Sequence, residues 1–229
     1  MFATALNAPA HSPVNRVGAR AQPCPTKIKI MQNAGDHNLP IAISDTFVAE
    51  ILRPYRANAK YLKSAQIIDV FGKTSTEKAG ETRALVTGSG QFAIPESCYI
   101  DDTGHFNAVE FNICYNQLAY VLFAKCLEDG ILGKVNGELH KLSDAKVDHL
   151  SISMADYKRH QLPSMLIVSI EGVRFFKEMK SSDFQGQLTI NRFAPVGDAW
   201  FFFTTIAFSD AEGVKAKGSV VLAFIPPKD

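Results

Sequence analysis

The run NAVEFNICYNQLAYVLFAKCLE, Asn107 to Glu128, decides the fold. It holds no Gly or Pro and is apolar nearly all round, so it reads as a long helix. A helix without a broad polar face must be covered by other structure on most sides. Asp129-Gly130 follows as a stop signal.

Working outward, the segments on either side of this helix supply the cover. Ser44 or Asp45 can cap a short helix from Thr46 to about Tyr61, which Pro54 should kink or interrupt. Gln66 to Phe71 is rich in Ile and Val and reads as a strand, Gly72 to Gly80 as a polar turn. Thr82 to Ile94 reads as a second strand, in which Gly88 and Gly90 mark a bulge or a close backbone approach. After the helix, strands are predicted at His149 to Tyr157, Met165 to Phe176, Gln185 to Phe193, Trp200 to Phe208 and Lys215 to Ile225. Short turns at Val196-Gly197-Asp198 and Glu212-Gly213 favour antiparallel pairing of the last strands. One buried helix with many antiparallel strands has a natural solution: the sheet curls around the helix. The expected fold is therefore α+β, of the hot-dog kind, formed by residues 42–229 as a single domain. Residues 1–41 are expected to be a flexible arm; Arg16, Arg20 and the early lack of acids give it a slight transit-peptide flavour.

Composition excludes several functions. The 24 basic and 23 acidic side chains nearly cancel, which argues against a dedicated nucleic-acid binder. No apolar run is long enough to span a bilayer. The four cysteines, Cys24, Cys98, Cys114 and Cys126, form no CxxC pair, and no His/Cys cluster has metal-ligand spacing, so neither metal nor cofactor is expected. Cys114 and Cys126 read as small buried hydrophobes in a reducing compartment, the cytoplasm. No nucleophile elbow, P-loop or dinucleotide fingerprint is present. The aromatic runs Phe175-Phe176 and Trp200 to Phe203 read as core or as the wall of an acyl tunnel.

The chemistry concentrates just before the helix, in Tyr99-Ile-Asp-Asp-Thr-Gly-His-Phe-Asn107. Here a loop delivers polar groups to a helix N-terminus, whose free N–H groups and partial positive charge suit a developing oxyanion. Gly104 lets a substrate approach the backbone closely. Asn107-Ala-Val-Glu110 also matches a capping box, so Asn107 and Glu110 have a structural as well as a functional reading. If the helix starts near His105, that residue, Asn112 and Asn116 fall within about 40° of one another at about 100° per residue. Asn116 then sits mid-helix among apolar neighbours, either as a site residue or as an amide bonded to a nearby strand.

Tyr99, the run DDTGHFNAVEFNICYNQLAY and the order of strands resemble the FcoT family of hot-dog thioesterases, over roughly residues 42 to 226. Ordinary hot-dog thioesterases depend on an acidic base or nucleophile, which this family lacks in the usual place. The resemblance implies an enzyme acting on an acyl thioester of coenzyme A or of acyl carrier protein (ACP). One implied activity is hydrolysis of long-chain acyl-CoA. The other belongs to related natural-product enzymes, which add glycine across the double bond of a 2-enoyl carrier thioester and then hydrolyse it to a 3-(carboxymethylamino) fatty acid. The same resemblance assigns His105 and Asn116 to catalysis and Tyr99 and Asn107 to the glycine carboxylate, and it implies a homo-oligomer built from dimers, up to a hexamer. An acidic base would repel that carboxylate, so its absence favours the glycine-adding enzyme over the simple thioesterase. A non-catalytic acyl-binding module on the same fold is the third alternative.

Overall fold

A computed structural model describes residues 39–70, 84–101, 105–132, 152–197 and 199–225, all within the compact unit Gly35–Asp229. In chain order these form β1 (Ile41–Ile43), α1 (Asp45–Ile51), a 3-10 turn (Ala57–Ala59), β2 (Leu62–Val70), β3 (Val86–Phe92) and α2 (Ala108–Glu128). Then come α3 (Met154–Ser164), β4 (Met165–Phe175), β5 (Phe184–Val196), β6 (Ala199–Asp210) and β7 (Gly213–Phe224). The seven strands make one antiparallel sheet in the order β1-β2-β3-β5-β6-β7-β4.

The expected central helix is there, and the sheet covers it. Leu118, Val121 and Leu122 are essentially inaccessible; removing each such side chain from water contributes about 1.5–3 kcal/mol. Phe123 meets Phe202 of β6 edge to face with ring centres 4.6 Å apart, and Phe111 meets Phe208 at 5.2 Å. This is the hot-dog arrangement. Gly88 and Gly90 mark a close approach: a Cβ on Gly88 would collide with Leu122, and one on Gly90 would lie 2.9 Å from Leu118 Cδ1. The register shifts next to them lie in β2, between Leu62 and Ser64 and between Ile67 and Asp69. Cys114 and Cys126 are buried in this core, where desolvation pushes the Cys126 thiol up to about 12 and raises Cys114 as well.

Two expectations need correcting. The helix placed at Thr46 to Tyr61 ends at Ile51, with Leu52 as its C-cap; the chain then passes Pro54 and the 3-10 turn, and β2 begins at Leu62. Ser44 is the N-cap, accepting from Phe47 N–H at 3.3 Å. The strand placed at His149 to Tyr157 is instead the start of α3; residues 149–151 lie outside the described residues. Ser153 caps α3 by accepting from Asp156 N–H at 3.0 Å, and Tyr157, Gln161 and Ser164 form its buried face at helical spacing. Tyr157 donates to the Tyr120 carbonyl at 3.0 Å, so α3 holds α2 from behind. Most of the expected arm lies outside the described residues, as does the turn Gly72 to Gly80. Among the described residues no helix is long and apolar enough to cross a membrane.

Gln117 joins α2 to the entry of β2. Its Oε1 accepts from the N–H groups of Tyr61 and Leu62, both at 2.9 Å, and its Nε2 donates to the Ala59 carbonyl at 2.5 Å. The side chain is fully buried. Gln117→Leu keeps the volume and strands three backbone groups, so it should lower unfolding free energy by at least about 2 kcal/mol in urea melts. A loss under about 0.5 kcal/mol would show that the clamp contributes no net stability.

Candidate active site at the start of the central helix

The polar loop is anchored by one aromatic ring. Phe106 is buried between the rings of Phe208 and Phe184, each 5.0 Å away centre to centre, and also meets Phe111 and Phe175. Its N–H donates to the Met179 carbonyl, tying the loop to the β4–β5 connection. With Phe106 locked inward, His105 and Asn107 on either side face outward. Both line a cleft of about 570 Å3, together with Ala108, Phe175, Phe176, Lys177 and Glu178.

Asn107 closes the capping box that its spacing allows. Its Oδ1 accepts from Val109 N–H at 2.9 Å and Glu110 N–H at 3.3 Å, while Glu110 Oε2 accepts from Asn107 N–H at 3.2 Å. Tyr99 donates its hydroxyl to the same Oδ1 at 2.9 Å. Three donors therefore converge on one oxygen, and the Asn107 Nδ2 group is left as the donor toward the cleft. Structural and binding readings of Asn107 coexist on opposite ends of one amide. The Tyr99 hydroxyl must turn from Asn107 to donate to a ligand. Glu110 is buried and held in the cap, which withdraws it from the cleft.

Behind Tyr99, the fully buried Tyr61 hydroxyl accepts from Cys98 N–H at 2.8 Å and fixes the start of the loop. Burial pushes this phenol above its usual range, so it stays protonated.

His105 lies outside the helix, because Asn107 is extended (φ −127°, ψ −177°) and Ala108 is the first helical residue. The alignment expected for His105 with Asn112 and Asn116 therefore fails for His105, and only the two asparagines share a face. That face is the accessible stripe of α2: Ala108, Val109, Asn112, Ile113 and Asn116. The Asn112 Oδ1 is buried without a hydrogen-bond partner. Asn116 is half-buried, about 13 Å along the axis from Asn107 at about 1.5 Å per residue, and is not among the residues lining the cleft. Gly104 lies outside the described residues. The structure thus brings His105, Asn107 and Tyr99 together within one chain, and leaves Asn116 apart from them. Sequence reading missed Phe106 as the anchor and Lys177 and Glu178 as lining residues. The first could be found as an apolar residue flanked by the polar His105 and Asn107 at the helix start; the other two carry no local signal.

A family model described as an FcoT-like thioesterase domain matches residues 50–224. The chain belongs to the FcoT-like thioesterase family. It is thus a member of an enzyme family, as the polar cleft at the helix start suggests. Among curated relatives, a (2E)-enoyl-ACP glycyltransferase of Streptomyces coeruleorubidus is 33% identical over 79% of this chain and 96% of its own. A protein of the same name from Mycobacterium bovis is 33% identical over 80% of this chain and 87% of its own. One from Mycobacterium marinum is 30% identical over 97% of each chain. Among solved structures, the dehydratase heterocomplex ApeI:P from Xenorhabdus doucetiae is similar at TM-score 0.41 and 13% identity, covering 79% of this chain and 91% of that one.

The double duty of Asn107 is separable. Asn107→Ser retains an N-cap oxygen and should melt close to wild type, whereas Asn107→Ala should lose about 1 kcal/mol. Both remove the Nδ2 donor and should impair turnover alike. A serine variant with full activity would reduce Asn107 to a cap.

Proposed function

We propose that this FcoT-like thioesterase adds glycine to a 2-enoyl thioester of an acyl carrier protein and then hydrolyses the thioester. The observation that carries the proposal is the cleft at the α2 N-terminus. It offers an imidazole, an amide donor and a nearby phenol, while the neighbouring Glu110 carboxylate is withdrawn into the cap. A site so equipped accepts the carboxylate of an amino-acid nucleophile. The names of the curated relatives support the same reaction.

In this reading Asn107 Nδ2, and the Tyr99 hydroxyl once it turns, hold the glycine carboxylate through charge-assisted hydrogen bonds. His105 takes a proton from the glycine ammonium. The amine attacks the β-carbon; a C–N bond forms, the C=C bond becomes single, and the α-carbon receives a proton. His105 then activates water, which attacks the thioester carbonyl. The C–S bond breaks, the carrier leaves as its thiol, and a 3-(carboxymethylamino) fatty acid is released. Asn116 enters this scheme as a group contacting the acyl portion further along α2, not as a direct partner of His105. Gly104 gives the thioester close access to the backbone. The cytoplasm is the compartment assigned, supported by the unpaired thiols Cys98, Cys114 and Cys126.

Glu178 favours a second reading. Among the described residues it is the carboxylate that lines the cleft with His105, and a His–Glu pair would serve simple acyl-CoA hydrolysis. Mass spectrometry of products from an enoyl carrier thioester, with and without glycine, separates the two. The expected product is the glycine adduct of the acid. His105→Ala should cut its formation at least about 100-fold with the fold intact. Hydrolysis without glycine incorporation, abolished by Glu178→Gln, would establish the simple thioesterase instead.

The protein is also proposed to act as a homodimer joined at β4. This eleven-residue strand is a sheet edge, and Leu166, Val168 and Ile170 on it are all more than two-fifths exposed. An open apolar edge of that length invites a second strand. Sedimentation should give a dimer at micromolar concentration, and Val168→Lys should shift it toward monomer. A monomeric, fully active wild type would rule this out.

A further inference from the structure

Next to the cleft, the outer face of the sheet carries an arrangement that is unfavourable in the protein by itself. Arg174 of β4 and Lys217 of β7 are directly opposed Cα partners. Opposed residues of an antiparallel pair project on the same face, and two like charges there are destabilising. Both side chains are exposed. Lys177 and Lys180 follow within the segment Arg174-Phe-Phe-Lys-Glu-Met-Lys180, so three cations stand against the single carboxylate of Glu178. Among the described residues no acid forms an ion pair with Arg174, Lys177, Lys180 or Lys217; Glu212, in the β6–β7 turn, lies near enough to feel the charge of Lys177 but leaves Arg174 and Lys217 uncompensated.

The patch is continuous with the site. The Phe176 ring is 48% exposed, and Lys217 Nζ sits over it, 5.4 Å from its centre. Phe176 N–H donates to the Lys215 carbonyl at 2.7 Å, which fixes the ring at the end of the sheet. Phe176 and Lys177 line the cleft that holds His105. Cations and an exposed ring therefore reach from the outer sheet face to the mouth of the cleft.

We propose that Arg174, Phe176, Lys177 and Lys217 form the docking surface for the acyl carrier protein, receiving its acidic surface and the phosphodiester of its phosphopantetheine arm as the thioester enters the cleft. This inference rests on the function proposed above. An anion between Arg174 and Lys217 offsets the repulsion that the free protein carries. The surface is an open sheet face, whereas a nucleotide such as coenzyme A is normally held in a concave pocket. An open, charged rim suits a protein partner, where it governs encounter rate and salt dependence.

Arg174→Glu provides the test, because it moves stability and docking in opposite directions. It replaces a like-charge pair by an opposite-charge pair with Lys217, so the melting temperature should equal or exceed that of wild type. With an enoyl-carrier substrate, kcat/KM should fall by about ten-fold or more, carried by KM, and the salt dependence should flatten. With the same enoyl group on N-acetylcysteamine, which has neither carrier nor phosphate, kcat/KM should stay within about two-fold, and Arg174→Lys should behave as wild type with both. Unchanged kcat/KM on the carrier, or an equal loss on both thioesters, overturns the proposal. An equal loss on enoyl-CoA and on the carrier overturns the commitment to a protein partner. Glycine incorporation is read separately, in wild type on the N-acetylcysteamine thioester. Its absence there would fail the proposed function, while binding of holo-carrier to wild type and Arg174→Glu, measured without turnover, would still decide the docking surface.

Discussion

The burial of α2 is the constraint on which the rest of the structure depends. Its second half offers solvent almost nothing from Gln117 to Ala124. Such a helix exists only if a sheet is bent around it. The closeness of that packing is set by β3, where Gly88 and Gly90 leave room for Leu122 and Leu118. Gln117, a fully buried amide in the middle of this helix, is tolerated because it meets three backbone groups at the entry of β2. Packing and hydrogen bonding thus fix the axial position of the helix together.

The site is a consequence of how that helix begins. Phe106 must enter the aromatic cluster of Phe111, Phe184 and Phe208, and this forces the residues beside it outward. Asn107 then ends the helix as its cap, so the outermost free donor at the helix start is its own amide nitrogen. The same closure withdraws Glu110. The imidazole and donors presented at the helix start, with Glu110 taken into the cap, follow from the capping geometry and not from any separate device.

Much of this was legible along the chain because it depends on local spacing. The long helix, its cap, the hairpins at Gly197 and Gly213 and the strands β5, β6 and β7 all follow from apolar periodicity and turn residues that act over a few positions. The misreadings have physical causes. Met154 to Ser164 is a largely polar helix containing Pro163, and its buried face of Tyr157, Gln161 and Ser164 is too sparse to set a period against the proline. The alignment of His105 with Asn116 assumed a helix that starts three residues earlier than the extended backbone of Asn107 permits.

By itself the sequence determined that one helix would be buried in an antiparallel sheet, and that His105, Asn107 and Tyr99 would gather at its start. Both follow from short-range chemistry: an apolar helix cannot stand in water, and an Asn three residues before a Glu can close a capping box. Only the tertiary structure decided which distant residues meet that site. Phe175, Phe176, Lys177 and Glu178 reach it because β4 runs antiparallel to β7 and ends beside Phe106. Lys217 stands opposite Arg174 through the same pairing. Strand register across the sheet is set by the packing of whole faces against the helix, and no local pattern in either strand encodes which residue of the other will lie across from it.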